Sequence, residues 1–236
     1  MKIFPGGLVV SCQALAGNPL RDSERLAHMA KAAELGGASA IRANGVEDIT
    51  AMRKLLTIPI IGINKQHDAT GRVVITPTFE SARQVVEAGA DVIALDATFC
   101  ESNIREDVQT TIRRIHEELK VPVMADISNA EEAARAAAWG ADLVSTTLAG
   151  YMPNAGYAPE EKYIPNFPLI ESILKDPRVT CPVVGEGRFW NPDDLQKALE
   201  MGLYAVVIGK AITNPMAITE YFSAAVRRAN KKGASV

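Results

Sequence analysis

Glu87-Ala-Gly-Ala-Asp91 runs directly into Val92-Ile-Ala-Leu95, and the same join recurs twice further along the chain. Trp139-Gly-Ala-Asp142 leads into Leu143-Val-Ser145, and Met201-Gly-Leu-Tyr204 leads into Ala205-Val-Val-Ile208. Each join sets a Gly just past a stretch with helical spacing. The residue that ends a helix there takes φ > 0, which Gly does at least cost. The chain then passes without a loop into a short, continuously apolar run. Such a run suits a strand buried on both faces, in a parallel sheet covered by helices. The three joins predict βα units.

Working outward, further runs of the same kind are Leu8–Ser11, Ser39–Arg42, Ile58–Ile63, Val121–Ala125 and Pro182–Val184. Helical patterns lie between them, near 23–36, 46–55, 78–88, 104–119, 130–139, 165–176, 192–201 and 215–229. Eight βα units in 236 residues fit a closed (β/α)₈ TIM barrel, whose usual length is roughly 250 residues. An open doubly wound sheet is the alternative architecture. Unit lengths vary, so the chain is not a solenoid. No Gly-, Ser- or Pro-rich linker divides it, and residues 1–236 are expected to form one barrel domain. Pro153–Pro168 follows the sixth run and is the most loop-like stretch, where a barrel would carry a lid. Gln66–Val74 reads as a second loop.

The composition is that of a globular protein, 47% hydrophobic and 22% charged, with a net charge of -3. No basic field points to nucleic acid or an anionic membrane as a partner, although a few local donors can still hold one phosphate. Cys12, Cys100 and Cys181 are odd in number and widely spaced, which suits a reducing cytoplasm better than a disulfide framework. The run Leu8–Val10 is too short for a signal-peptide core, and no stretch reaches 18 apolar residues. A soluble cytoplasmic protein is expected. His28, His67 and His116 form no HxH or HxxxH, so no metal site is expected. No GxSxG, Walker or GxGxxG string supports hydrolase or nucleotide chemistry.

A barrel places its chemistry at the C-terminal ends of its strands. Those positions hold Gln13, Arg42, Lys65, Asp96, Asp126, Ser145 to Thr147, Glu186 and Lys210. Any one of them alone reads as a polar strand cap; together they read as a site. A free lysine has a pKa of about 10.4, so only about one in 2,500 is neutral at pH 7. Desolvation and a nearby cation such as Arg42 would lower that value and make Lys65 a base. A rim salt bridge and a Schiff base with a carbonyl substrate are the other uses of such a lysine. Gly185-Glu-Gly187 and Val207-Ile-Gly-Lys210 end the last two runs, where phosphate is commonly cradled in these barrels.

These residues, taken together, resemble the N-acylglucosamine-6-phosphate 2-epimerase family, also called N-acetylmannosamine-6-phosphate 2-epimerases. The resemblance rests on Val9-Val-Ser-Cys-Gln-Ala14, Gly37-Ala-Ser-Ala-Ile-Arg-Ala-Asn44 and Pro59-Ile-Ile-Gly-Ile63 with Lys65. It continues through Ile75-Thr-Pro-Thr78, Ala94-Leu-Asp-Ala-Thr98, Met124-Ala-Asp-Ile-Ser128, Thr146-Thr-Leu-Ala-Gly-Tyr151 and Glu186-Gly-Arg188. It implies a ribulose-phosphate-binding type of TIM barrel that needs no cofactor. The implied role is to interconvert N-acetylmannosamine 6-phosphate and N-acetylglucosamine 6-phosphate in sialic acid catabolism. It further implies Lys65 as the catalytic lysine and Glu186 as its acidic partner. Gln13, Arg42 and Asp126 would contact the sugar, and Gly187, Gly209 and Lys210 would surround the phosphate.

The chain departs from the family pattern in three places. Asn214 follows Ile212-Thr213 where an Arg is usual, Gln66-His-Asp68 follows Lys65 where an Arg is common, and Phe99-Cys-Glu-Ser102 replaces a basic, Pro-containing loop. The rival readings are a Schiff-base aldolase on the same barrel and a sugar-phosphate sensor without catalysis. The last helix, with Tyr221 and Phe222 on an exposed face, permits a homodimer.

Overall fold

In the computed structural model, which describes residues 3–152 and 162–233, every one of the eight apolar runs becomes a strand. The first half of the chain forms β1 (Gly7–Cys12), α1 (Ser23–Leu35), β2 (Ala40–Asn44), α2 (Val46–Arg53), β3 (Ile60–Ile63), β4 (Lys65–His67), β5 (Val73–Ile75), α3 (Phe79–Glu87) and β6 (Val92–Asp96). There follow α4 (Val108–Arg114), β7 (Val123–Asp126), α5 (Ala130–Ala138), β8 (Leu143–Ser145) and α6 (Phe167–Lys175). The last elements are β9 (Val183–Glu186), α7 (Pro192–Glu200), β10 (Ala205–Ile208), α8 (Lys210–Thr213) and α9 (Pro215–Gly233). Strands β1, β10, β9, β8, β7, β6, β3 and β2 pair in that order into a closed barrel. All these pairings are parallel. Closure decides against the open doubly wound sheet, because β1 pairs with both β10 and β2.

The glycine joins work as the sequence predicts. Gly89, Gly140 and Gly202 have φ of 113°, 89° and 109°. Each closes its helix with the same pair of bonds. Gly89 N–H donates to Val86 O and Ala90 N–H to Val85 O; Gly140 and Ala141 donate to Ala137 and Ala136; Gly202 and Leu203 donate to Leu199 and Ala198. This is a Schellman closure, which satisfies the last carbonyls of the helix and aims the chain at the next strand. The Asp in two of the joins has a second task. Asp91 accepts from the backbone N–H of Ile60 and Asp142 from that of Val123, so each ties its join to the start of the preceding barrel strand.

Strand parity divides the core. Val10, Ile41, Ile60, Ile93, Val123, Val144, Val183 and Val206 cluster with helix residues such as Leu26, Met52, Val85 and Ile112. Val9, Ala40, Ile61, Val92, Ala94, Met124, Leu143, Val184 and Val207 form a second cluster that takes nothing from the helices and so fills the barrel interior. Successive strand residues point to opposite faces, so the inward phase continues upward as Ser11, Arg42, Asp96, Asp126, Ser145 and Glu186. Polar groups thus cap an apolar interior at the C-terminal mouth.

The structure corrects the sequence reading in four places. The stretch 66–74 is not a plain loop but the antiparallel hairpin β4–β5, with Lys65 opposite Ile75. Its turn is organised by Asp68, whose Oδ1 accepts from Thr70 N–H, Thr70 Oγ1 and Arg72 N–H, and by Gly71 at φ 82°. The helix expected from 104 begins instead at Val108, capped by Asp107 accepting from Thr110 N–H. It ends in a π-helical turn, Ile115–Leu119, before Lys120 turns left-handed. Residues 210–213 form the short α8, which has no counterpart in the sequence reading. Tyr221 is not part of an open face: it is half-buried, stacked on Trp190 at 5.0 Å and edge-on to Tyr163 at 4.8 Å. Most of the lid-like stretch 153–168, namely 153–161, lies outside the described residues.

Candidate active site

The barrel mouth brings together Gln13, Arg42, Lys65, Asp126 and Glu186. Arg42, from the inward face of β2, is fully buried at 1% exposure. It donates to both oxygens of Asp126 on β7, at 3.0 and 2.5 Å. Its Nη1 also lies 3.1 Å from Glu186 Oε2 at the end of β9. A bidentate guanidinium–carboxylate pair is rigid and strongly directional, so Arg42 and Asp126 form a fixed floor. Burial works against the guanidinium charge, but Asp126 and Glu186 outweigh it and hold the Arg42 pKa above its ordinary value.

Lys65 stands beside this floor at the start of the hairpin. Its backbone N–H donates to Asn44 Oδ1, fixing β4 against the end of β2, and its Nζ donates to Gln13 Oε1 at 2.7 Å. Gln13 is held in turn by donating to Ser11 Oγ at 2.8 Å. Among the described residues no carboxylate pairs directly with Lys65, which removes the rim salt bridge as its role. Burial pushes the amine pKa down, and the charge of Arg42 pushes it further. Glu186 and Asp126 oppose, Lys210 adds a smaller downward push, and the net value lies below that of an ordinary lysine. The amide oxygen of Gln13 orients the amine without carrying the full charge that would fix a proton on it.

Glu186 titrates on the other side. Burial raises its pKa, Arg42 lowers it, and the neighbouring Asp126 charge raises it again, leaving the carboxyl above the usual range. The site therefore holds a lysine shifted toward neutrality and a glutamic acid shifted toward protonation. Groups whose surroundings push their pKa values away from the ordinary are the usual material of acid–base chemistry.

Glycines at the ends of β9 and β10 flank the same mouth. Gly187 has φ 110° and no heavy atom within 4 Å of where a Cβ would sit, so open space faces it. A Cβ on Gly209 would meet Ser11 Cβ at 3.3 Å, which lets the β10 end approach β1 closely. Lys210 is exposed on α8. Asn214 is engaged elsewhere: its Oδ1 accepts from Ala217 N–H at the head of α9. The two loops that read as poor in positive charge hold Arg72 and Arg105, which lie 3.0 and 2.9 Å from the oxygens of buried Asp96. Asp96 is thereby occupied with bracing the mouth loops.

Thr147 is the residue that sequence reasoning left without a role. A 3₁₀ turn, Thr146–Leu148, follows β8 and swings Thr147 over the mouth. Its Oγ1 lies 2.6 Å from Asp126 Oδ1 and 3.0 Å from Glu186 Oε2. The Ser145-Thr-Thr147 run marks a polar strand end, but the bridge needs the turn, and no spacing rule announces a turn that short. Among the described residues no group of His, Cys, Asp and Glu is placed to hold a metal ion.

Comparison with known proteins identifies the family. Residues 26–228 match the family model described as "Putative N-acetylmannosamine-6-phosphate epimerase". A "Putative N-acetylmannosamine-6-phosphate 2-epimerase" of Caldanaerobacter subterraneus is 48% identical over 92% of this chain and 89% of its own length. One of the same name from Cutibacterium acnes is 44% identical over 94% of both chains. The solved N-acetylmannosamine-6-phosphate 2-epimerase of Clostridium perfringens superposes with a TM-score of 0.86 at 40% identity, covering 94% of each chain. A thiamine phosphate pyrophosphorylase from Pyrococcus furiosus, at 18% identity and a TM-score of 0.59, shares the barrel alone. With the family model spanning most of its length and relatives at 48% and 44% identity, the chain belongs to the N-acetylmannosamine-6-phosphate epimerase family.

Proposed function

We propose that this protein interconverts N-acetylmannosamine 6-phosphate and its C2 epimer, N-acetylglucosamine 6-phosphate, in amino-sugar and sialic acid catabolism. The observation that carries the reading is the half-buried Lys65 amine held on an amide oxygen near a glutamic acid shifted toward protonation, in a chain of this family. The C2 proton of the sugar is acidic only when C1 is a free aldehyde, so the ring opens first. Neutral Lys65 then takes the C2 proton, the C2–H electron pair passes into an enolate, and a proton returned to the opposite face of C2 gives the epimer. One C–H bond breaks and one forms, so no redox cofactor takes part. Glu186 serves as the acid, protonating the developing oxyanion or the opposite face. Gln13, Arg42 and Asp126 hold the sugar, while backbone N–H groups near Gly187 and Gly209, with Lys210 as the cation, receive the phosphate. General acid–base help typically contributes 10²–10⁴-fold and a placed oxyanion donor about 10²–10³-fold.

Proton NMR in deuterated water tests the reaction directly. Either epimer should give the other, with deuterium entering C2 as it does. A sugar phosphate that binds yet shows neither turnover nor exchange would leave the protein a sensor and end the proposal.

Two further parts of the reading belong here. The protein works in the cytoplasm: Cys12, Cys100 and Cys181 are free thiols, and among the described residues no helix is long and apolar enough to cross a membrane. Residues 1–236 act as one barrel domain, paired in a homodimer through α9, where Phe222 and Val226 are 65% and 61% exposed one turn apart.

A further inference from the structure

The hydroxyl of Thr147 has more partners than it has protons. Its Oγ1 lies 2.6 Å from Asp126 Oδ1, 2.9 Å from Ser145 Oγ and 3.0 Å from Glu186 Oε2. A threonine hydroxyl has one proton to donate and two lone pairs to accept with. The shortest contact is to Asp126, which is bonded on both oxygens by Arg42 and so is the settled carboxylate of the group. If the proton goes there, Ser145 can donate to one lone pair. The contact to Glu186 is then a hydrogen bond only if Glu186 Oε2 carries a proton of its own; otherwise two oxygens face each other with none between them.

We propose that Thr147 is a positioning residue whose hydroxyl, committed as donor to Asp126, keeps Glu186 as the neutral acid in the resting enzyme. Charge counting agrees. Arg42 is one cation between two carboxylates, and its bidentate pair with Asp126 leaves only Nη1, at 3.1 Å, facing Glu186. With Lys65 neutral, as a base must be, the group sums to zero when Glu186 is neutral too; with Glu186 ionised it carries one uncompensated negative charge against the closed Arg42–Asp126 pair, which is costly. The groups facing Glu186 are Arg42 from β2, Asp126 from β7, Thr147 after β8 and Lys65 from β4. Burial and the Asp126 charge push the Glu186 carboxyl the same way, toward protonation, whereas Arg42, Lys65 and a Thr147 hydroxyl turned to donate to Glu186 push against it, so the direction of that one hydroxyl decides the point. The inference rests on the reading of Glu186 as the acid of the reaction. In that step its O–H bond breaks, a substrate oxygen or carbon gains the proton, and Arg42 steadies the carboxylate left behind.

The opposite orientation of the hydroxyl makes the opposite forecast. A Thr147 that donated to Glu186 would stabilise the carboxylate, so its removal would make Glu186 harder to ionise. Infrared difference spectroscopy of the resting enzyme separates the two. Wild-type protein near neutral pH should show a protonated carboxyl band, identified by its shift in deuterated water and its loss in Glu186→Gln. In Thr147→Val that band should titrate away at a pH lower by about one unit, on the order of one lost hydrogen bond. Thr147→Ser should restore the wild-type midpoint. Absence of the band in wild type overturns the proposal even if the valine variant fails to fold, and so does a midpoint in Thr147→Val that is unmoved or raised. Exchange at C2 is read separately. If Lys65→Met still exchanges while the band behaves as expected, the base assignment falls and the Thr147 inference stands.

Discussion

At the residue scale the reaction turns on the Lys65 amine held on Gln13 Oε1, and removing that amine should stop proton exchange at C2 of the sugar. In the sequence Arg42, Asp126 and Glu186 announce themselves because each lies two residues beyond an inward-facing strand residue, Ala40, Met124 and Val184, and Lys65 stands in the same way to Ile63. Gln13 as the partner of Lys65, and Thr147 as the bridge between carboxylates, depend on χ angles and a 3₁₀ turn that no spacing records. The central prediction here is Lys65→Met, which keeps the stem and removes the amine. Folding should survive, and turnover should fall by on the order of 10²–10⁴, with deuterium no longer entering C2 by NMR. Borohydride added with substrate should leave no mass on Lys65, since a base forms no imine; a covalent adduct would make the enzyme an aldolase-like one. The pH profile follows from the sign of the shift. Neutral Lys65 and protonated Glu186 must coexist, so the profile should be bell-shaped, its two limbs drawn together because Lys65 is shifted below its ordinary value of about 10.4 and Glu186 above the usual carboxylate range. A second residue-scale test is Gly187→Val. It forces a β-branched residue to φ 110° and places methyls in the open space beside the backbone. KM for phosphorylated sugar should rise on the order of 10–100-fold, the worth of hydrogen bonds to a charged group. An unchanged KM would put the phosphate elsewhere.

At the element scale the sequence was most legible where one physical constraint acts alone. The three Gly joins were readable because a helix that turns at once into a strand needs φ > 0 at one residue. Gly37 supplies a fourth of the same kind, its N–H donating to Glu34 O and that of Ala38 to Ala33 O. The β4–β5 hairpin was less legible, since Lys65-Gln-His67 carries no apolar pattern and its pairing rests on Val73–Ile75 across an Asp68-centred turn. Element joins also carry stability. Glu34, at the end of α1, accepts from Thr57 N–H, Thr57 Oγ1 and Ile58 N–H just before β3 and pairs with Lys31. The bonds from Lys31 and Thr57 hold its carboxyl down at about 2. A depressed folded pKa gives stability that is full above the unfolded value, about 4.3, and is lost as pH falls toward about 2. Urea midpoints measured from pH 5 to pH 2 should therefore fall less steeply in Glu34→Gln than in wild type; parallel curves would mean these bonds do not tie α1 to β3. Packing gives a companion test. A Cβ on Gly62 would sit 2.5 Å from Ala90 Cβ and 3.2 Å from Ile49 Cδ1, so Gly62→Ala should cost about 1–3 kcal/mol of stability by urea unfolding.

At the scale of the whole molecule, closure was inferred from a count of eight βα units and is realised by the pairing of β1 with β10. The ends of the barrel are tied again below it, where Tyr204 donates its hydroxyl proton to Phe4 O. What a count of units could not settle is the course of α9. Its first turns pack on the barrel through Tyr221, but every residue from Ala225 to Asn230 is exposed. A helix uncovered on all sides over more than a turn gains nothing from burial there, and short helices are marginal in water without such packing. A second copy of the chain, laid along Phe222 and Val226, would supply the missing contact and hide the two exposed apolar side chains at once. Sedimentation velocity should accordingly find the wild-type protein dimeric at micromolar concentration. Phe222→Glu should shift it to monomer, because an unpaired carboxylate buried at a small interface costs several kcal/mol. C2 exchange should persist in that monomer, since Phe222 has no contact with the mouth residues described above. A wild-type protein that sediments as a monomer at every concentration would remove the dimer and leave α9 an exposed extension of the barrel.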